Sequence, residues 1–222
     1  LPLFHRTPFL TAMSAAALDR ISNHRFMLGL GVGHRGVVEG FHGVPFRQPF
    51  TRMRETVEIV RQLVRGETMT YNGRIFAVQN ASLGLEQGCQ IPIYIAALGP
   101  QMIELAGEIA DGVLLTWVNA AFMEEVHYRL ARGAARGGRS VDAIDVVCYV
   151  RVAVTDDKKA IGAAVRSQLL SYVGIPFYRS HFEQAGFKKE CAEIIRGLCQ
   201  GDRAAALDAV SEEMQRLAIF GS

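Results

Sequence analysis

The chain has 222 residues, of which 50% are hydrophobic and 21% are charged, so it can bury a substantial core in one domain or at most two. This composition excludes collagenous, disordered and small disulfide-stabilised proteins. The 24 Lys and Arg residues are interspersed with 22 Asp and Glu residues, so no basic surface for nucleic acid or an anionic membrane is indicated. A small molecule is therefore the expected partner.

Cysteine usage and hydropathy point to the cytoplasm. No C-x-x-C pair occurs, no spacing of His, Asp, Glu and Cys favours a metal site, and no run of about 18 apolar residues could span a membrane. We therefore expect a cytoplasmic protein without a bound metal or membrane span. The four cysteines are Cys89, Cys148, Cys191 and Cys199.

The first strand is predicted at Arg25–Leu30, after the end of a helix at Ser14–Ser22. Its apolar run has the length of a strand buried on both faces, and it ends in the turn Gly31–Gly33. From His34 to Pro49 the glycines and prolines are too frequent for a regular element. We therefore interpret this segment as a structured loop. Long loops in compact domains usually carry function.

An amphipathic helix and a hairpin are predicted next. Thr51 is the expected N-cap of a helix whose apolar residues recur at three- and four-residue spacing until Gly66. Residues Thr68–Val78 have Asn72-Gly73 at their centre, which predicts a hairpin with a type I′ turn. This hairpin is expected to lie outside the core of the fold.

Buried strands then alternate with helices, which is typical of parallel α/β folds. Asp156-Asp157 marks the start of a further helix, and residues 158–218 are predicted to be helical, with breaks at Gly174–Pro176 and near Gly186. The alternating elements are strand Ile91–Ala97, helix Gln101–Ala110, strand Val113–Trp117, helix Ala120–Arg136 and strand Val146–Val154.

The segment Gly31–Gly36 matches G-x-G-x-x-G after a strand. A dinucleotide site would require a helix directly after these glycines, and Gly40, Gly43 and Pro45 disfavour one. We favour the interpretation that the glycines allow a flat ring to approach the backbone, because no Cβ holds it off. A tight turn without a ligand is the alternative.

The turn Leu98–Pro100 is a second candidate site. Proline suits the first turn of a helix, and the free N–H groups of that turn after a parallel strand can bind an anion such as phosphate. An ordinary connection between a strand and a helix is the alternative interpretation.

Four motifs, taken together, resemble the luciferase-like flavin monooxygenase superfamily and, within it, the coenzyme F420-dependent oxidoreductases. They occur in order between about Phe4 and Val154 and comprise Arg25–Gly33, Arg52–Glu55, Pro92–Pro100 and Glu104–Leu115. The resemblance implies an α/β fold, a (β/α)8 TIM barrel of the bacterial luciferase-like type. We expect residues 1–222 to form a single barrel domain truncated at both ends, with the first three strands and the last strand absent.

The resemblance also implies a cofactor, F420 or alternatively FMN, across the carboxyl ends of the strands. Its ring would lie near Gly31–Gly33 and its phosphate at Leu98–Pro100, where the hydroxyl of Thr116 would also bind. For Trp117, at the end of a strand, a place beside the cofactor is one interpretation and filling of the barrel is the alternative. The expected cofactor-binding residues are Gly31, Val32, Gly33, Ala97, Leu98, Gly99, Pro100, Thr116 and Trp117.

Three histidines are expected near the site, and His34 is considered as a proton donor or acceptor. His34 is the predicted catalytic residue, although the sugar-phosphate dehydrogenase branch has an acidic residue at the corresponding place. A loop histidine bonded only to backbone or water is the alternative. His42 is expected in the same loop, and His5 near the end of a preceding strand, where it could face the site.

The leading functional hypothesis is an F420-dependent oxidoreductase that transfers a hydride between the deazaflavin and a small organic substrate. An FMN-dependent luciferase-like monooxygenase that uses O2 and a non-catalytic barrel fragment are the alternatives. A homodimer is one possible assembly.

Overall fold

The computed structural model describes residues 1–154 and 156–221, and the side chains of all of these except 158 and 219–221. The described residues form two compact units, one of Leu1–Leu114 with His127–Val147 and one of Leu115–Val126 with Cys148–Ser222. None of the helices in the described part of the chain is long and apolar enough to cross a membrane. The single barrel domain over residues 1–222 stays a prediction.

Strands and helices are mixed up to Val154, and most of the chain beyond it is helical, with one short strand near the end. The strands are β1 (Leu28–Leu30), β2 (Met69–Asn72), β3 (Ala77–Ala81), β4 (Ile93–Ala96), β5 (Gly112–Thr116), β6 (Asp145–Tyr149), β7 (Val152–Val154) and β8 (Ile219–Gly221). The α-helices are α1 (Pro8–Ile21), α2 (Arg35–Gly40), α3 (Pro49–Val64), α4 (Pro100–Ile109), α5 (Ala120–Arg136), α6 (Lys158–Val173), α7 (Pro176–Phe182), α8 (Lys188–Cys199), α9 (Arg203–Asp208) and α10 (Glu212–Gln215). Short 3-10 turns lie at Leu3–His5 and Val141–Ala143, and a π-helical turn lies at Glu183–Phe187.

The main sheet has the strand order β1-β4-β5-β6. β1 runs parallel to β4 with Leu30 opposite Ile95, and β4 runs parallel to β5 with Ile95 opposite Val113. Most of their apolar residues are buried, as apolar runs in a parallel sheet require. The predicted parallel α/β organisation is therefore confirmed. The buried residues of these three strands include Leu28, Leu30, Ile93, Ile95, Val113 and Leu115.

The segment His34–Pro49 contains a helix, so the prediction that it has no regular element was wrong. The carbonyl of His34 accepts hydrogen bonds from the N–H groups of Val37 and Val38, at 3.0 and 2.9 Å, and starts α2 directly after the glycine turn. Val38 is fully buried and anchors the helix. The argument that breakers prevent a helix after G-x-G-x-x-G was therefore also wrong, because the six residues of α2 end before most of them.

Helix α3 begins at Pro49, two residues before the predicted N-cap Thr51. Gln48, in the left-handed region with φ of 48°, precedes it, and Pro49 occupies the first turn. Because proline has φ fixed near the helical value, it is suited to this place, and Thr51 lies within the helix. The predicted amphipathic pattern is confirmed, with Met53 and Val57 among its buried residues.

The hairpin β2–β3 is present, but its predicted type I′ turn was wrong. Asn72 pairs with Ala77, so four residues close the loop, and neither Asn72 nor Gly73 has a positive φ. The carboxylate of Glu55, on α3, accepts hydrogen bonds from the N–H groups of residues 74, 75 and 76, at 2.7, 3.1 and 2.9 Å. A buried anion therefore shapes the loop, and a Cβ on Gly73 would overlap that carboxylate.

Helices α4 and α5 pack with their backbones close together. A Cβ on Gly107 would overlap the carbonyl of Leu130, and one on Gly133 would overlap the carbonyl of Glu104. The buried Glu104 carboxylate also accepts hydrogen bonds from Arg129 and Arg136 of α5, at 2.9 and 2.7 Å. These two hydrogen bonds lower the pKa of Glu104 and keep it ionised.

The predicted strand Val146–Val154 is divided into β6 and β7 by Val150 and Arg151. β6 is the edge strand of the main sheet beside β5, whereas β7 runs parallel to β8, with Val152 opposite Ile219. Because the two halves pair with different strands, the apolar run does not form one straight element. No strand was predicted at Ile219–Gly221, where β8 lies.

The predicted helical stretch is confirmed for residues 158–218. The Asp157 side chain accepts a hydrogen bond of 2.9 Å from the N–H of Ala160 and caps α6, as the acidic pair indicates. The chain bends at Gly174–Pro176, between α6 and α7, and again at Gly186, whose φ is 103°. A buried cluster joins these helices, and its members include Leu169, Val173, Phe182, Ile194 and Met214.

The Glu55 carboxylate is expected to be a main support of the hairpin. Glu55→Gln keeps the shape but replaces a charged acceptor by an amide whose NH2 faces backbone N–H groups. We expect the free energy of unfolding to fall by about 1–3 kcal/mol. Urea denaturation measures it, with the exposed Glu67→Gln as control, which should change stability by less than about 0.5 kcal/mol. Equal effects of the two substitutions would contradict this account.

Candidate functional site

The two predicted glycine turns leave the main sheet at the same edge. β1 ends at Leu30 and β4 ends at Ala96, and because the strands are parallel both turns follow carboxyl ends. A Cβ built on Gly31 would lie 3.4 Å from the Cβ of Ala96, so the turns are neighbours. The structure therefore brings together Gly31–Gly33 and Ala97–Pro100.

The turn at Ala97–Pro100 presents unused N–H donors. The carbonyl of Gly99 accepts hydrogen bonds from the N–H groups of residues 102 and 103, both at 3.1 Å, and Pro100 is the first residue of α4. Within the described part of the chain, the N–H groups of Leu98, Gly99 and Gln101 form no hydrogen bond. Three donors at the positive end of a helix fit a phosphate group.

In the Gly31–Gly33 turn, the backbone of Gly31 is hydrogen-bonded within the fold, whereas Gly33 is exposed. Gly31 is already bonded on both sides, since its N–H donates to the Leu1 carbonyl at 3.0 Å and its carbonyl accepts from the Leu3 N–H at 2.9 Å. Gly33 is exposed and has a φ of 72°, in the left-handed region that favours glycine. Val32, between them, is partly exposed. A flat ring can therefore approach the turn at Val32 and Gly33.

His34 directly follows this turn and is the N-cap residue of α2. Its backbone is extended, with φ of −99°, and its side chain does not cap the helix. The residue is half-buried. Its predicted catalytic role stays a prediction.

His5 and His42 form a pair that sequence reasoning did not identify as a pair. Their ring centroids are 3.6 Å apart, and Leu3, two residues before His5, is bonded to Gly31. The Nε2 atom of His5 is buried without a hydrogen-bond partner among the described residues. Desolvation, and secondly the neighbouring His42, lower the pKa of His5. The two residues are 37 positions apart, so no local pattern could have revealed the contact.

The second unit holds Thr116 and Trp117, together with Arg151, which was not predicted. Arg151 Nη1 donates to Thr116 Oγ1 at 3.0 Å, and Nη2 donates to the Tyr172 hydroxyl at 3.2 Å. The guanidinium carbon lies 3.6 Å from the centroid of the Trp117 ring, a cation–π contact. Arg151 was missed because it was placed inside an apolar strand; a charged residue in such a run was the available signal.

Trp117 has an unusual backbone and is held firmly. Its φ is 56°, a conformation that bulky residues rarely adopt, and its side chain is buried. His181 Nε2 donates to the Trp117 carbonyl at 2.8 Å, while its Nδ1 is buried without a partner among the described residues. Burial lowers the pKa of His181, although the bond to the carbonyl acts in the opposite direction. His181 is therefore neutral at pH 7, with its proton on Nε2.

The lowered pKa of His181 makes stability depend on pH. Below about pH 6.5 the unfolded chain binds a proton at this position that the folded chain excludes, so stability is complete above that pH and falls as the pH decreases. Gln cannot titrate but can donate to the same carbonyl. Thermal unfolding between about pH 7.5 and 5.5 should therefore show a smaller loss for His181→Gln than for the wild type. Parallel curves would refute this assignment.

Similarity to known proteins extends over the whole chain. The family described as luciferase-like monooxygenase matches residues 1–222. A 5,10-methylenetetrahydromethanopterin reductase of Archaeoglobus fulgidus is 35% identical over 217 residues, which are 95% of this chain and 64% of that protein. A putative coenzyme F420-dependent oxidoreductase of Mycobacterium tuberculosis is 30% identical, over 94% of this chain and 66% of that protein.

Solved structures give the same picture of the fold. The F420-dependent tetrahydromethanopterin reductase of Methanopyrus kandleri has a TM-score of 0.71 at 27% identity, over 96% of this chain and 65% of that one. An F420-dependent secondary alcohol dehydrogenase, at 16% identity, shows the fold alone, with a TM-score of 0.70 over 99% of this chain and 63% of that one. The predicted luciferase-like barrel class is confirmed. The chain spans about two-thirds of the length of these proteins.

Proposed function

The chain belongs to the luciferase-like monooxygenase family. We propose that it is an oxidoreductase that uses coenzyme F420 with a small organic substrate. When bound, the deazaflavin supplies the carbon that gives or takes the hydride. The names of relatives from Archaeoglobus fulgidus and Mycobacterium tuberculosis, a methylenetetrahydromethanopterin reductase and an F420-dependent oxidoreductase, support the reaction class. The cytoplasmic location and the homodimer stay predictions.

The observation that carries the proposal is the set of unused donors beside the glycine turn. The N–H groups of Leu98, Gly99 and Gln101 are free within the described residues and lie at the start of α4. We assign the cofactor's phosphate to them, with Ala97 and Pro100 fixing the shape of the turn. A phosphate there is stabilised by hydrogen bonds and by the helix dipole.

The remaining proposed cofactor contacts lie at the ends of β1 and β5, the two strands that pair with β4. Gly31, Val32 and Gly33 would face the ring, because the turn after β1 lies beside the end of β4 and Gly33 has no side chain. Thr116 would donate its hydroxyl proton to an anionic oxygen, since its Oγ1 accepts from Arg151 and its own O–H remains a donor. Trp117 would border the cofactor through its fixed ring.

His34 is the proposed proton donor or acceptor for the substrate. It lies one residue beyond Gly33, so an imidazole there would be close to a ring placed on the turn. Histidine changes charge near neutral pH and suits general acid or base catalysis. In this role it would exchange a proton with a substrate heteroatom while the cofactor handles the hydride.

An FMN-dependent monooxygenase is the second candidate, since the matching family is described as luciferase-like monooxygenase. The proposed contacts to the ring use backbone, which does not distinguish F420 from FMN. What separates the candidates is therefore the cofactor that binds and whether O2 is consumed.

Cofactor binding is the first test of the proposal. We expect the wild-type chain to bind F420 saturably and more tightly than FMN in a fluorescence titration. The same titration with the deazaflavin that lacks phosphate should give weaker binding, because the donors of α4 are then unused. Saturable binding of FMN alone, with rapid reoxidation of reduced FMN by O2, would favour the monooxygenase. Binding of neither cofactor would refute both.

The role of His34 is tested by substitution. His34→Gln removes the titratable group and should lower the rate of hydride transfer by about 100-fold, the usual contribution of a general acid or base, while F420 affinity stays nearly unchanged. His127→Gln, an exposed substitution on α5, is the control and should keep the rate. Single-turnover kinetics of F420 absorbance measure both. An unchanged rate in His34→Gln would remove this residue from the mechanism.

A further inference from the structure

Arg151 differs in its partners from several other arginines of the chain. Two of its N–H groups donate to hydroxyl groups, Thr116 Oγ1 at 3.0 Å and Tyr172 OH at 3.2 Å, and none of the described carboxylates lies within ion-pairing distance. Three other partly buried arginines form ion pairs with carboxylates, whereas Arg139 donates to backbone carbonyls. These pairs are Arg54 with Glu108, Arg61 with Asp111, and Arg129 with Glu104.

A guanidinium in this setting has unused binding capacity. It carries five N–H donors in a planar fork, of which two are engaged, and its positive charge is not neutralised locally. The Thr116 hydroxyl can itself donate a proton to a further acceptor. Arg151 thus presents a charged donor beside the neutral donor of Thr116, an arrangement that suits phosphate and carboxylate oxygens.

The surroundings hold this pair in place. The guanidinium lies on the face of Trp117, at 3.6 Å from the ring centroid, and Tyr172 packs edge-on against the same ring at 5.4 Å. The strained backbone of Trp117 is fixed through its carbonyl by His181. Arg151 also borders a cavity of about 240 Å³ beside α6, so the residue is reachable from solvent.

We propose that Arg151, with Thr116, forms an oxyanion-binding subsite that determines which ligands this protein accepts. The ligand group is a phosphate or a carboxylate, carried either by the cofactor's anionic tail or by the substrate. The inference rests on the proposed function and extends it, because it adds a specificity-determining residue. Arg151 acts as a fork of charged donors, so lysine cannot fully replace it.

Trp117 provides a direct signal for the test. It is the only tryptophan of the chain, and Arg151 lies on its ring, so an anion at the guanidinium should alter its fluorescence without any turnover. We compare the wild type with Arg151→Gln, which removes the charge, and Arg151→Lys, which keeps it. Arg196→Gln, on the exposed surface of α8, removes one positive charge elsewhere and is the matched control.

The titrations use F420, its phosphate-free deazaflavin, and inorganic phosphate. If the cofactor's tail is the ligand, Arg151→Gln weakens F420 binding by about 10- to 100-fold, Arg151→Lys less, and the phosphate-free deazaflavin is bound equally by all variants. If the substrate carries the anion, F420 binding is unchanged but the response of Trp117 to inorganic phosphate is lost in Arg151→Gln. Either result supports the subsite and identifies its ligand.

The subsite is refuted if Arg151→Gln, folded by near-ultraviolet circular dichroism, matches Arg196→Gln in F420 affinity and in its response to phosphate. That outcome, with F420 still bound by the wild type, leaves the proposed function intact. Failure of the wild type to bind F420 would instead refute the proposed function. A phosphate response of Trp117 that depends on Arg151 would then still support the subsite.

Discussion

The parallel pairing of β1 with β4, in the register that places Leu30 opposite Ile95, is the constraint on which the candidate site depends. This register makes the residues that follow the two strands neighbours, so Gly31 lies against Ala96. A slip of one residue would reverse the face of every side chain and expose Leu28 and Leu30. Burial of these apolar side chains therefore fixes the place where the two turns meet.

Local sequence patterns were sufficient for most of this framework. Runs such as Ile91–Ala97 are apolar over the length of a strand, and Pro100 marks a helix start by its fixed φ, so both were predictable without a structure. Two predictions failed, those for the turn after β2 and for the segment His34–Pro49, because both structures depend on tertiary packing that local sequence does not show. The loop after Asn72 is shaped by Glu55, and α2 forms in a glycine-rich segment because Val38 is buried.

The candidate site was only partly predictable for the same reason. The glycine and proline residues of the two turns could be identified, since their roles come from backbone geometry. Arg151 was not identified: its charge within an apolar run was the local signal, but its contacts are with Thr116 and Tyr172, which lie 35 and 21 positions away. The pair of His5 and His42 was hidden similarly. Side chains that act through distant partners leave little trace in a single sequence.

The contact between α4 and α5 fixes which face of each helix packs against the other. Each residue added to a helix rotates everything after it by about 100°. A single insertion between Arg129 and Arg136 would turn Arg136 away from Glu104 and replace the small surface of Gly133 by a bulkier one. Homologous chains should therefore vary in the length of their connecting turns, while the number of residues in this part of α5 stays constant.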